Sequence, residues 1–115
     1  MYYLKIISLQ GCPYSEAVEK LVKNNKIESK IIKINQYEKE KFKSSNIDTF
    51  PQVYLKKKYS SGDLLIGGYA TLKSYYDLVH ANNKIDLESI KNKIMKDNSN
   101  LSNKSILRLI QLISS

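Results

Sequence analysis

The first 34 residues hold two apolar strands with a single helix between them, and that arrangement limits the fold more than any other feature. "YYLKIISL" (Tyr2 to Leu9) is β-branched and aromatic and meets no breaker until Gly11, so it reads as a buried strand. From Ser15 the apolar positions Ala17, Val18, Leu21 and Val22 recur at helical spacing, and the pattern runs out at "KNNK". "ESKIIKI" (Glu28 to Ile34) is a second strand. Two strands joined through a helix run parallel in one sheet, which makes this an α/β chain.

The remainder extends that unit. "YEKEKFKSS" (Tyr37 to Ser45) reads as a short charged helix with Phe42 turned inward. "QVYLKKKY" and "DLLIGGY" read as strands joined by a turn around Gly62. "TLKSYYDLVHANN" (Thr71 to Asn83) sets Leu72, Tyr75, Tyr76 and Val79 on one helical face, with Thr71 suited to cap its start. The order βαβαββα implies a mixed four-stranded sheet flanked by helices. "DLESIKNKIMKD" (Asp86 to Asp97), capped by Asp86, completes a domain over residues 1–97. Residues 98–115 are a polar link and an amphipathic C-terminal helix. The apolar face of that helix, Ile106, Leu107, Leu109, Ile110, Leu112 and Ile113, must be buried. Such a face most often packs on its own domain, homodimerisation or partner docking is the sharper alternative, and with Lys104 and Arg108 as its only cations a membrane surface is a poor third.

Composition narrows the chemistry. The chain has 115 residues, enough for one core, and 19 basic against 11 acidic residues give a formal charge of +8. Only Arg108 is arginine, and arginine is the better fork for phosphates and base edges, so nucleic acid is not the expected partner. No run approaches a membrane span and the first residues lack a secretory signal, so a soluble, cytoplasmic protein is expected. One cysteine and one histidine permit neither an internal disulfide nor a single-chain zinc site.

That one thiol occupies a special position. With a tight turn at Gly11, Cys12 falls at the N-cap of the first helix and Pro13 at its first turn, where the N–H that proline lacks would be unpaired anyway. The sulfur then faces free backbone N–H groups and the positive end of the helix dipole, both of which favour the nucleophilic thiolate. A free cysteine is ordinarily a small buried hydrophobe, but this one is placed at the carboxyl edge of a parallel sheet, where crevices form. Ser15 stands where a dithiol oxidoreductase carries its second cysteine. A mixed disulfide on Cys12 must therefore be released by an outside thiol, and the hydroxyl or N–H of Ser15 is a candidate donor to the thiolate.

Three separated pieces, "GCPYS" (Gly11 to Ser15), "TFPQVYL" (Thr49 to Leu55) and "IGGY" (Ile66 to Tyr69), together resemble the glutaredoxin family over about residues 2–83. The resemblance implies a thioredoxin-like fold and glutathione as co-substrate. Pro51 would be the fold's cis-proline, with Thr49 beside it and Phe50 offering its N–H and C=O to the cysteine of glutathione. Gly67 and Gly68 would let the chain bend at the end of the last strand, and the N–H groups of Ala70 and Thr71 would hold the γ-glutamyl carboxylate. Tyr14 would wall the groove. Many relatives carry a lysine where this chain has Leu9, and an aspartate where it has Ala70. Both changes remove charge from the ligand site, so weaker glutathione recognition is expected, with Gln10, Lys41 and Lys43 as candidates to compensate.

The reading that follows is a glutathione-dependent thiol–disulfide oxidoreductase, reducing protein–glutathione mixed disulfides or small disulfides through Cys12 alone. The resemblance also implies an alternative in which two chains share a [2Fe–2S] cluster, each giving its Cys12 thiolate and one bound glutathione. A redox-inactive basic binding module is the third reading. The lysine-rich hairpin "KKKYSSGD" is expected to point away from Cys12, and His80, near a helix end, is assigned no chemistry.

Overall fold

A computed structural model describes residues 1–81 and 86–114. The sheet has four strands, β1 (Tyr2–Leu9), β2 (Ser29–Ile34), β3 (Gln52–Lys57) and β4 (Asp63–Gly67), in the order β2-β1-β3-β4. β1 and β2 are parallel, as a helical crossover requires, while β3 runs antiparallel to β1 and β4 antiparallel to β3. The helices are α1 (Pro13–Asn24), α2 (Tyr69–Val79), α3 (Leu87–Asp97) and α4 (Asn103–Ser114).

Strand alternation divides the sheet into unlike faces. Leu4 and Ile6 of β1, Val53 and Leu55 of β3 and Ile66 of β4 are buried in one core with Val18 and Val22 of α1, Leu72 and Tyr75 of α2, and Ile90 and Ile94 of α3. Ile106, Leu109, Ile110 and Ile113 of α4 enter the same core, so the C-terminal face that needed cover finds it within its own chain. All four α-helices thus feed one core. Elsewhere the sheet buries Ile7, Ile34 and Gln52, with Gln52 Nε2 donating to the Phe42 carbonyl at 2.7 Å and so tying β3 to the segment before it.

Polar pins fix the helices to one another. Tyr76 Oη donates to Asn25 Oδ1 at 2.7 Å, tying α2 to the end of α1, and Asn98 Nδ2 reaches both the Ile66 carbonyl and Tyr75 Oη at 3.0 Å. His80, stacked on Tyr76 at 4.2 Å, lies with Nε2 2.8 Å from the Ile113 carbonyl, a donor position that anchors the end of α4.

The segment 37–45 departs from expectation: it forms one 3-10 turn over Lys39–Phe42 with no fully buried residue. Its backbone is captured by short polar side chains. Asn35 Oδ1 accepts from the N–H groups of Tyr37 and Glu38, and Ser44 Oγ accepts from those of Asn46 and Ile47, which leaves little chain to propagate a helix. The start of α2 differs as well. Gly68, not Thr71, is its N-cap, and Thr71 sits inside the first turn. The end expected at Asn83 falls at Val79, while Asn82 and Asn83 themselves lie outside the described residues. The hairpin tip, residues 58–62, is beside the start of β1 and so at the opposite end of the sheet from Cys12.

Candidate functional site

Cys12 is the N-cap of α1 with extended backbone (φ −93°, ψ 118°), and Pro13 opens the helix. Gly11, at φ +81°, makes the turn that an L side chain would resist, and the Cys12 N–H closes it on the Leu9 carbonyl at 3.1 Å. The Glu16 N–H is the first to bond back, to the Cys12 carbonyl at 3.0 Å. The N–H groups of Tyr14 and Ser15 therefore belong to the unpaired first turn around the sulfur. Cys12 is partly exposed, and its Sγ donates toward the Phe50 carbonyl oxygen at 3.7 Å.

That carbonyl belongs to a cis peptide, Phe50–Pro51. Pro51 is buried, Phe50 half-buried and Thr49 exposed at its approach. The glycine pair meets this loop from β4. Here the β3–β4 register slips between Val53 and Tyr54, which partners Val53 with Gly67, and a Cβ on Gly68 would be 3.5 Å from the Pro51 carbonyl. Gly67, at φ +143°, has no space for a side chain because Thr71 Oγ1 stands 2.8 Å from where its Cβ would be. The chain turns straight into α2, whose first internal bond runs from the Leu72 N–H to the Gly68 carbonyl. The N–H groups of Ala70 and Thr71 are thereby left at the helix start, beside a cavity of about 570 Å³ that Asn46 and Ile47 also line.

Cys12, Phe50, Pro51, Gly68, Ala70 and Thr71 are therefore linked across one edge of the sheet. Tyr14 is exposed, and its ring is 6.3 Å from that of Tyr69 at an angle of 32°. Tyr69 thus sets a second ring beside Tyr14, a neighbour that sequence reasoning missed; its place next to the glycine pair was the available signal. Ser15 is turned the other way. It is fully buried, and its Oγ accepts the Leu9 N–H at 3.0 Å, joining helix start to strand end. Of the candidate compensating cations, Lys43 pairs with Glu40 at 3.0 Å and Lys41 is exposed. The main-chain carbonyl of Gln10 accepts from Gln36 Nε2 at 3.3 Å.

A largely buried carboxylate lies behind the same strand end. Glu19 of α1 accepts the Ser8 hydroxyl at 2.5 Å, and Lys33 is 3.4 Å away. Burial disfavours the Glu19 charge, but the Ser8 hydrogen bond and the ammonium groups of Lys33 and Lys23 outweigh it, holding the carboxyl below its usual range. Among the described residues, no three His, Cys, Asp or Glu side chains converge to hold a metal.

The glutaredoxin family model matches residues 1–59, about half of the chain. The chain belongs to the glutaredoxin family. The match includes Cys12, Tyr14, Ser15 and the Thr49–Pro51 loop; the glycine pair lies beyond it. Among solved structures, the chain is similar to glutaredoxin 1 from Francisella tularensis, crystallised in complex with cacodylate. The two are 27% identical with a TM-score of 0.55, and the likeness covers 70% of this chain and 98% of that one. No curated protein matches the sequence. Membership in the family and the shared fold support thiol–disulfide oxidoreductase chemistry, with glutathione the family's general co-substrate. Among the described residues no helix is long and apolar enough to cross a membrane.

Proposed function

We propose that this glutaredoxin reduces protein–glutathione mixed disulfides by a one-thiol route through Cys12. The observation that carries the reading is the position of Cys12 Sγ, at a helix N-cap and 3.7 Å from the carbonyl that precedes the cis-proline. The cysteine of glutathione pairs as an added strand with the N–H and C=O of Phe50, which brings its sulfur against Cys12. Its γ-glutamyl carboxylate is taken by the N–H groups of Ala70 and Thr71 at the positive end of α2. Tyr14 closes one side, with Thr49 and Gly68 lining the groove and Ser15 acting as a positioning residue through its bond to Leu9.

The Cys12 thiolate attacks the glutathione sulfur, forming a Cys12–glutathione disulfide while the substrate's disulfide breaks and the departing protein thiolate takes a proton. A second glutathione, as thiolate, then attacks the bound glutathione sulfur. Oxidised glutathione leaves and the Cys12 thiolate returns, so two glutathione sulfurs carry away the oxidation that the substrate brought. In a glutathione-coupled reductase assay on a glutathionylated protein, the wild type turns over and Cys12→Ser does not. Equal rates for the two would sink the proposal.

A further inference from the structure

The other end of β1 carries a cleft of different character. A cavity of about 390 Å³ opens between Tyr2, Lys57 at the end of β3, and Lys104, Arg108 and Gln111 of α4. Tyr2 and Lys57 are register partners, so their side chains leave the sheet on the same face, the one that α4 covers. Lys104 and Arg108 are one turn apart on α4 and project from one side of it. Three cationic side chains from two elements thus line one hollow, with Met1 beside them.

Nothing among the described residues neutralises them. Among the described residues the lining includes no carboxylate and Lys57, Lys104 and Arg108 form no ion pair, whereas Lys5, Lys56 and Lys73 each hold an aspartate within 2.8 Å. Like charges one helical turn apart repel, and a third cation facing them adds to the repulsion. A multivalent anion relieves it. Arg108 is already oriented to receive one, because its guanidinium carbon is 5.8 Å over the Tyr2 ring and Nη1 donates to Gln111 Oε1 at 3.2 Å. A guanidinium held in this way presents its remaining N–H groups as a planar fork that matches phosphate oxygens.

We propose that this cleft is a binding site for a small polyphosphate-type anion. Its volume lies in the range of small-ligand pockets, and its three cationic side chains converge on one hollow between a strand end and a helix, which suits a compact ligand better than an extended strand. The eight residues of β1 place it about 23 Å from the Cys12 end, at ~3.3 Å per residue. The ligand is therefore distinct from the thiol substrate, and the site works whether or not the thiol chemistry is as proposed.

Titration of sodium triphosphate into the full chain, followed by calorimetry at low salt, tests this directly. We expect saturable one-to-one binding that weakens by about tenfold or more in Lys104→Gln/Arg108→Gln and steeply with added salt. The control is Lys20→Gln/Lys96→Gln, which makes the same change in net charge at positions outside the cleft and leaves binding within about twofold. Lys104 and Arg108 are exposed, so their variant retains the fold; triphosphate raises the Tm of the wild type and leaves that of the variant where it was. Absence of saturable binding, or equal weakening in both double variants, overturns the site. Binding of a single-stranded oligonucleotide about tenfold tighter than triphosphate overturns the small-anion assignment in favour of nucleic acid.

Discussion

The two sites proposed at the ends of β1 would recognise their ligands with different materials. At the Leu9 end, the groups on offer are backbone: free N–H groups at the starts of α1 and α2, the Phe50 carbonyl of a cis peptide 3.7 Å from the Cys12 sulfur, and a glycine pair that lets the end of β4 pass close to Pro51. At the Tyr2 end they are side chains, the cations Lys57, Lys104 and Arg108, two of them on a helix that the first 59 residues do not include. Recognition at the first would depend on shape, so a single added methyl is expected to disturb it. Recognition at the second would depend on charge, so added salt is expected to weaken it. Substitutions separate the two.

The largest effect on stability is expected from Leu109→Ala. Leu109 is fully buried where α4 meets the common core, and its truncation costs about 3 kcal/mol in denaturant unfolding. Turnover per folded molecule stays unchanged if the two ends are independent, and a parallel loss of turnover would break that separation. Gly67→Ala follows, at about 2 kcal/mol, because the positive φ and the nearby Thr71 hydroxyl both resist a Cβ. Gly11→Ala also meets a positive φ, at +81° rather than +143°, but has open space around it, so its cost is smaller, about 1 kcal/mol. An equal cost at both glycines would show that Thr71 gives way.

Glu19→Gln sharpens the contrast through pH. The folded carboxyl titrates below its unfolded value, so its charge stabilises the fold above the unfolded pKa, and that contribution is lost as pH falls through the folded one. The variant therefore has a flatter acid limb in stability measured below about pH 4.5 and the same slope as wild type from about pH 6 to 8. Smallest is Tyr14→Ala, on an exposed ring paired with Tyr69. It raises KM for glutathione about threefold with kcat little changed, as expected for uniform binding.

Much of the Cys12 end was legible in the sequence, because its parts are punctuation. Gly11, Pro13, Pro51 and the glycine pair each restrict the backbone in ways that can be read locally, and the helical period of Ala17 to Val22 between two apolar runs demanded the parallel pair. Where reading fell short, local side-chain bonds or distant contacts decided. Asn35 and Ser44 converted an expected helix at residues 37–45 into one 3-10 turn, and the glycine turn, rather than the Thr71 hydroxyl, set the start of α2. The Tyr2 end was not legible at all. Tyr2, Lys57 and Arg108 are separated by most of the chain, and their meeting depends on which face of the sheet α4 covers. Periodicity announced that α4 had an apolar face, but not what would bury it.

The central claim, that one thiol exchanges with glutathione at a site made of backbone, is tested most directly by intact-mass analysis. Reduced protein mixed with glutathione disulfide is predicted to gain a single glutathione, mapped to Cys12, and to lose it when reduced glutathione is added. An unmodified chain under these conditions, or an adduct that added glutathione does not remove, would contradict the account.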